Sequence, residues 1–256
     1  MKILSYNIHK GFSFANRRFV LKRMREVLEI VDADLVLLQE VVGEHRDHAD
    51  SVDGWQASQF EFLADRLWPH HAYGKNAVYD AGHHGNAILS KHHLVGWENI
   101  DVSTNPIERR GLLHAVLEPE GFAKPLHVIC IHFDVHEYGR KKQVRSLAER
   151  IAAAVPADCP LIVAGDFNDW KERAGRVLES ELSLVEAYKT IHGRCARSFP
   201  CRFPLLRLDR IYIRGLVPVS AECLTGQPWA QLSDHAALFA ELSPSPTKVA
   251  KVPAIA

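Results

Sequence analysis

The chain has 256 residues, 47% of them hydrophobic, enough to bury a large core in one sizeable domain or two small ones. Its 31 Lys and Arg balance its 31 Asp and Glu, which excludes bulk basic charge as a means of holding nucleic acid and makes any polyanion site a local one. Five cysteines, Cys130, Cys159, Cys195, Cys201 and Cys223, show neither CxxC nor zinc-ligand spacing and read as reduced structural thiols of a cytoplasmic protein.

The opening MKILSYNIHKG carries no apolar signal core, and no apolar run is long enough to span a membrane. From Lys2 to His9, apolar Ile3, Leu4, Tyr6 and Ile8 interleave with polar Ser5, Asn7 and His9 before Gly11, a strand with Asn7 near its end. Val20, Met24, Val27, Leu28 and Val31 then recur at helical spacing, and Asp32-Ala33-Asp34 closes that helix. Leu35 to Leu38 forms a short buried strand that ends in Gln39 and Glu40. Ser58 and Glu61 have capping-box spacing at the head of a helix carrying Phe60, Leu63, Ala64 and Leu67, stopped by Trp68-Pro69.

His83-His84-Gly85-Asn86 leads into a strand at Ala87 to Leu89, and Leu112 to Leu117 and Leu126 to Ile131 are two more, the second ending at His132 and Asp134. A strong amphipathic helix runs from Tyr138 to Val155, with Val144, Leu147, Ala148, Ile151 and Val155 on one face and Pro156 as its terminator. Next comes LIVAGDFNDW, Leu161 to Trp170. Four apolar residues run through Gly165 into Asp166, Asn168 and Asp169, so a buried strand delivers two carboxylates and an amide to its own end. The same Asp-Phe-Asn-Asp also suits an ordinary polar turn.

Arg176 to Leu184 reads as a short helix, and Cys195 to Leu206 as irregular chain with Pro200 and Pro204. Leu208 to Ile213 is a strand with Asp209 near its start, and Ala236 to Leu242 is the last, entered through Ser233-Asp234-His235. No linker composition divides the chain, so residues 1–242 form one domain, and the tail from Ser243 has the composition of a disordered end.

Seven motifs now stand in order: SYNI at Ser5 to Ile8, LLQE at Leu37 to Glu40, GNAILS at Gly85 to Ser90, a strand ending in His132, GDFND, LDRIYI, and SDHAAL at Ser233 to Leu238. In this set the chain resembles the endonuclease/exonuclease/phosphatase superfamily, the metal-dependent phosphodiesterases that include DNase I, exonuclease III, neutral sphingomyelinases and inositol polyphosphate 5-phosphatases. The resemblance implies an α/β fold of the DNase I-like kind, a four-layer α/β/β/α sandwich. It also implies roles. Glu40 matches the metal-ligating glutamate, with Asn7 beside it and Asp234 as a further metal contact, a donor set suited to Mg²⁺, with Mn²⁺ able to stand in. Asp166 and Asn168 match the pair that orients water and phosphate. His235 matches the histidine of the SDH motif, Asp209 its orienting aspartate, and His132 the second histidine of the DNase I and sphingomyelinase branches.

Hydrolysis of a phosphodiester needs charge neutralised on phosphoryl oxygens and an oriented nucleophile. On this reading the cation and the histidines supply positive charge, and Asp166 handles the water. Individual residues keep plainer readings. Asn7 and Asn86 suit strand-end turns, Arg109 and Arg110 a solvated pair, and the doublets His70-His71, His83-His84 and His92-His93 surface loops, with no zinc implied.

Substrate is less legible. Ile131-His132-Phe133-Asp134 departs from the abasic-site endonuclease pattern and puts that role in doubt. Arg194, Arg197, Arg202, Arg207, Arg210 and Arg214, with Phe199, Phe203 and Tyr212 among them, suit either a nucleic-acid backbone or a solvated rim over core aromatics. A nuclease acting on DNA or RNA is the first expectation. A phosphoesterase on a lipid head group or small phosphoester is the second, and a non-catalytic binding protein on the same fold the third.

Overall fold

The computed structural model describes residues 1–105 and 108–245. In chain order the elements are β1 (Lys2–Asn7), α1 (Leu21–Val31), β2 (Leu35–His45), α2 (Arg46–Ser51), α3 (Gln59–Ala64), β3 (His70–Tyr79), β4 (Gly82–Ser90), β5 (Leu94–Asp101) and β6 (Gly111–Leu117). Then follow β7 (Leu126–His132), α4 (Glu137–Ala154), β8 (Leu161–Asp166), α5 (Arg173–Leu182), β9 (Val185–Glu186), α6 (Ala187–His192), β10 (Asp209–Arg214), β11 (Leu216–Leu224) and β12 (Ala237–Pro244). The strands make two six-stranded sheets, ordered β11-β12-β1-β2-β4-β3 and β5-β6-β7-β8-β10-β9.

Alternation along each strand builds the layers. In β1 and β2, Ile3, Leu35 and Leu37 join Val128, Cys130, Ile162, Ala164, Ile211 and Ile213 of the other sheet in one central cluster. Their neighbours Leu4, Tyr6, Val36 and Leu38 pack outward with Met24 and Leu28 of α1 and Leu63 of α3. On the second sheet Ile129, Ile131, Leu161 and Val163 pack outward with Leu147 and Ile151 of α4 and Leu178 of α5. The result is the four-layer α/β/β/α sandwich, and strands apolar on both faces explain the unbroken apolar runs.

Each sheet has one parallel pair at its centre, β1 with β2 and β7 with β8. A parallel pair needs a crossover, supplied by α1 and by α4. The C-terminal ends of the two pairs meet at one end of the sandwich, where Asn7 of β1 bonds Asp166 of β8.

Several details differ from the sequence reading. β2 runs on to His45, because a bulge lets it continue past Glu40. The Ser58 side chain makes no capping bond at α3. His70, His71, His83 and His84 lie within β3 and β4 rather than in loops. β3, β5 and β11 were missed because their apolar residues are broken by His, Asn, Gly or Pro. β12 extends through Ser243 and Pro244, where it pairs with β11; the rest of the expected tail, from residue 246, lies outside the described residues.

Beneath α4, on the outer face of β6 and β7, Arg150 Nε donates to His114 Nδ1 at 3.1 Å, and His114 Nε2 lies 3.0 Å from His127 Nδ1. All five cysteines are free and four of them are buried. Among the described residues no helix is long and apolar enough to cross a membrane.

Candidate active site

At one end of the sandwich the inward-facing series of several strands turns from apolar to polar. In β1 Ile3 is followed by Ser5 and Asn7, in β7 Cys130 by His132, and in β8 Ala164 by Asp166, while β10 begins with Asp209 ahead of Ile211. Register then lines them up, with Asp166 opposite His132 on one side and Asp209 on the other. Gly165 permits the pairing. Its φ of 147° and a Cβ position 1.9 Å from the Ile131 carbonyl oxygen leave no room for a side chain.

Glu40 arrives differently. Strict alternation would turn it toward the helices with Leu38. β2 instead spends one extra residue between Leu38, opposite Ala87, and Val41, opposite Gly85, with Glu40 at φ 55°. Such a bulge re-aims a side chain, and Asn7 Nδ2 lies 3.4 Å from Glu40 Oε1.

The polar groups interlock. Asn7 Nδ2 also donates to Asp166 Oδ2 at 3.2 Å, while Asn7 Oδ1 accepts from the His9 N–H. Asp166 Oδ2 lies 3.5 Å from His132 Nε2 and 3.7 Å from His235 Nε2. Its Oδ1 accepts from the Asn168 N–H at 2.9 Å, and Asn168 Nδ2 donates to the Phe133 carbonyl. His235 Nδ1 lies 2.9 Å from Asp209 Oδ2, the Phe199 ring is against His235, and Asp209 N–H donates to Ser198 Oγ. Asp234 stands at the rim with His9 Nδ1 at 3.6 Å, and Ser233 Oγ ties this segment to the Asn7 carbonyl at 2.7 Å.

Electrostatics separates the two histidines. Burial disfavours a charge on His235, but Asp209, through its field and its hydrogen bond, and then Asp166 outweigh it and raise the imidazolium well above its ordinary range. His132 is driven well below that range, first by burial and then by Arg110 and His235, so it is neutral at pH 7. Positive charge thus comes from His235 and not from both histidines. Asp166 is raised, chiefly by burial, with the His235 charge opposing and Asp209 reinforcing.

Other expected residues lie elsewhere. Asp169 turns behind the site toward Arg210 and Arg140, and Asp134 accepts from Thr104 Oγ1 and the His136 N–H. Asn86 is buried between the sheets, donating to the carbonyls of Gly111 and Cys130. The arginine segment is dispersed: Arg210 is fully buried, Arg207 pairs with Glu172, and Arg214 reaches the Pro156 carbonyl. Arg110 is no solvated residue, since its side chain is 11% exposed.

Sequence reading missed Lys10 and His84. The charges of Lys10 and Arg110 both act on His132 and His84. Buried Gln59 fixes Lys10 by donating to its carbonyl and accepting from Val42 N–H. His84 was readable in principle, as the next inward position of β4 before Asn86 and Ile88.

The donor set fits a hard divalent cation. Glu40 and Asp166 converge on one amide, Glu40 forms no ion pair with Lys or Arg, and Asp209 Oδ1 is buried without a partner among the described residues. Clustered carboxylates without a compensating cation call for one. Asp166, Asp209 and His235 have ligand atoms within 4.8 Å of one another, but His235 Nδ1 already lies 2.9 Å from Asp209 Oδ2.

A family model described as endonuclease/exonuclease/phosphatase family matches residues 4–235. The chain belongs to that family. Within it, the chain is 46% identical over 242 residues to the uncharacterized protein YbhP of Escherichia coli K12, covering 94% of this chain and 95% of YbhP. A crystal structure of an endonuclease/exonuclease/phosphatase from Beutenbergia cavernae aligns with a TM-score of 0.76 at 19% identity, over 98% of this chain and 73% of that one. D. rerio TDP2, solved with a single-strand DNA product, aligns with a TM-score of 0.71 at 20% identity, over 95% of this chain and 98% of its own. Both likenesses concern the endonuclease/exonuclease/phosphatase fold.

Proposed function

We propose that this protein is a Mg²⁺-dependent phosphodiester hydrolase, active with Mn²⁺ as well, and that its substrate is nucleic acid. The observation that carries the chemistry is the contact of Asp166 with Asn7, His132 and His235, with Asp209 behind His235. Glu40 would hold the cation, with Asp234 as a further contact and with Asn7 as a ligand once its Oδ1 leaves the His9 N–H, and the cation when bound neutralises charge on the phosphoryl oxygens. Asp166, made more basic by burial, orients the attacking water and accepts its proton. Asn168, held by the Phe133 carbonyl, presents its amide to the phosphate. His235, kept charged by Asp209, donates to a phosphoryl oxygen as negative charge grows there. Neutral His132 bonds without adding charge.

Nucleic acid is favoured by Lys10 and Arg110 flanking the site and by the DNA product held on the same fold in TDP2. The setting proposed is the cytoplasm, where free cysteines persist, and the proposed catalytic domain is residues 1–242, with β12 continuing to Pro244. The test is cleavage of supercoiled plasmid and single-stranded DNA by purified protein with Mg²⁺ or Mn²⁺, with EDTA and His235→Ala as controls. Metal-dependent cleavage lost in the variant is the expected result. Absence of cleavage, with metal still bound, would overturn the nuclease reading and favour the second one, a lipid head group or small phosphoester, for which the sphingomyelinase-like His132 and the balanced net charge speak.

A further inference from the structure

A cationic cavity lies outside the catalytic residues, in segments that adjoin them along the chain. It has a volume of about 300 Å³ and is lined by Ser13, Phe14, Arg17, Arg18, Val20, Arg23, Arg202 and Gln231. Four arginines and no carboxylate face it. In a chain whose charges balance at 31 against 31, that is a local concentration of one sign, and none of the four forms an ion pair among the described residues. Like charges gathered around one hollow repel until an anion enters.

The cavity is built rather than accidental. Phe12 and Phe19 form a bridge that closes residues 12–19 into a small hairpin, and the Ser13 and Arg18 main chains bond within it. The two rings pack with Trp55, which fixes the hairpin from behind and leaves Phe14, Arg17 and Arg18 at its tip. Opposite, Arg23 donates to Gln231 Oε1 at 3.0 Å and Arg202 Nε to the Ala230 carbonyl at 3.2 Å. Both guanidinium groups are thus held by neutral acceptors, oriented but not neutralised. Val20 also places the start of α1 at the cavity, and the first turn there has neither a side-chain cap nor an acidic residue. Phe14 is 39% exposed and offers an apolar face at the mouth.

Both walls are tied to the catalytic centre. The hairpin follows directly from Asn7 and His9. Arg202 follows Cys201, whose N–H donates to the Asp234 carbonyl, in the loop whose Phe199 ring lies against His235. Sequence neighbours of both walls thus reach catalytic residues, Asn7 and His9 on one side and Asp234 and His235 on the other.

We propose that this cavity is a second phosphate subsite, so that the preferred substrate carries a phosphate group in addition to the one attacked. The inference rests on the phosphoesterase reading of the catalytic site. It narrows the substrate class to esters with two or more phosphates, with the extra group bound by Arg17, Arg18, Arg23 and Arg202 and the adjoining ring or sugar against Phe14.

The test compares the full chain with Arg23→Gln/Arg202→Gln and Arg17→Gln/Arg18→Gln on three esters. These are the dinucleotide TpT, its 5′-phosphorylated form pTpT, and bis(p-nitrophenyl) phosphate. All four arginines are exposed, so the fold tolerates the changes. The expected result is a KM at least about tenfold lower for pTpT than for TpT in the native chain, a gap lost in both variants, and an unchanged kcat on bis(p-nitrophenyl) phosphate. Equal KM for TpT and pTpT in the native chain, or an equal fall on all three esters in the variants, would overturn the proposal. Inhibition of bis(p-nitrophenyl) phosphate hydrolysis by glucose 1,6-bisphosphate and by glucose 1-phosphate separates an oligonucleotide from a small bisphosphate as the source of the second group, tighter inhibition by the bisphosphate pointing to the small one. Should no ester be turned over, the catalytic reading fails, and calorimetry with inorganic phosphate in EDTA still decides the subsite. One saturable site weakened at least tenfold in Arg23→Gln/Arg202→Gln supports it, and no binding, or equal binding, removes it.

Discussion

Replacing His114 by Gln should flatten the acid side of the stability curve. His114 is 3% exposed, and burial first, then the Arg150 and His127 charges, lower its pKa from 6.5 to about 4. Because Arg150 donates to Nδ1, the imidazole must be neutral and must give its Nε2 proton to His127. The unfolded chain therefore binds the proton more readily than the native one. Stability from this residue is present above pH 6.5 and is lost as pH falls from 6.5 toward about 4. Between pH 7.5 and 5.0 the native chain should lose about 2 kcal/mol through His114 alone. Gln, neutral in both states, removes that loss. Urea unfolding of both chains at the two pH values measures it, with metal-free buffer to keep the catalytic end constant. Native and variant chains losing the same stability across that interval would refute the argument.

Three further outcomes follow from the same coordinates. Asp209→Asn leaves the fold intact but withdraws the charge that holds His235 protonated, so kcat on any turned-over ester should fall by about 100-fold or more, read against an unchanged circular dichroism spectrum. Gly165→Ala places a methyl on the Ile131 carbonyl and should cost about 3 kcal/mol or more, seen as a drop in Tm or as insoluble protein. Asn86→Ala strands the Gly111 and Cys130 carbonyls between the sheets; denaturant unfolding should show a loss of about 1–3 kcal/mol.

Much of the site was legible before any coordinates, because a strand turns successive side chains to opposite faces and a polar residue at the end of an apolar run must meet other strand ends. Asn7, His132, Asp166, Asp209 and His235 were found that way and do converge. Asp169 has the same local signature as Asp166, yet it serves Arg210 and Arg140, since only the path of the loop after Phe167 determines which carboxylate turns inward. The arginines of 194–214 show the limit more plainly. Spacing alone left a nucleic-acid-binding stretch and a solvated rim equally open, and the structure sends Arg210 into the core, Arg207 to Glu172 and Arg214 toward the Pro156 carbonyl.

By itself the sequence determined the strongly apolar strands, the two long amphipathic helices and the set of acids, amides and histidines at strand ends, all of which depend on contacts close along the chain. Tertiary structure alone decided the rest. It set the bulge that swings Glu40 inward, the burial that keeps His132 neutral while Asp209 keeps His235 charged, and the meeting of Arg17, Arg18 and Arg23 with Arg202 from the far half of the chain. Field and desolvation depend on what surrounds a group in space, and those neighbours come from segments that no local pattern connects.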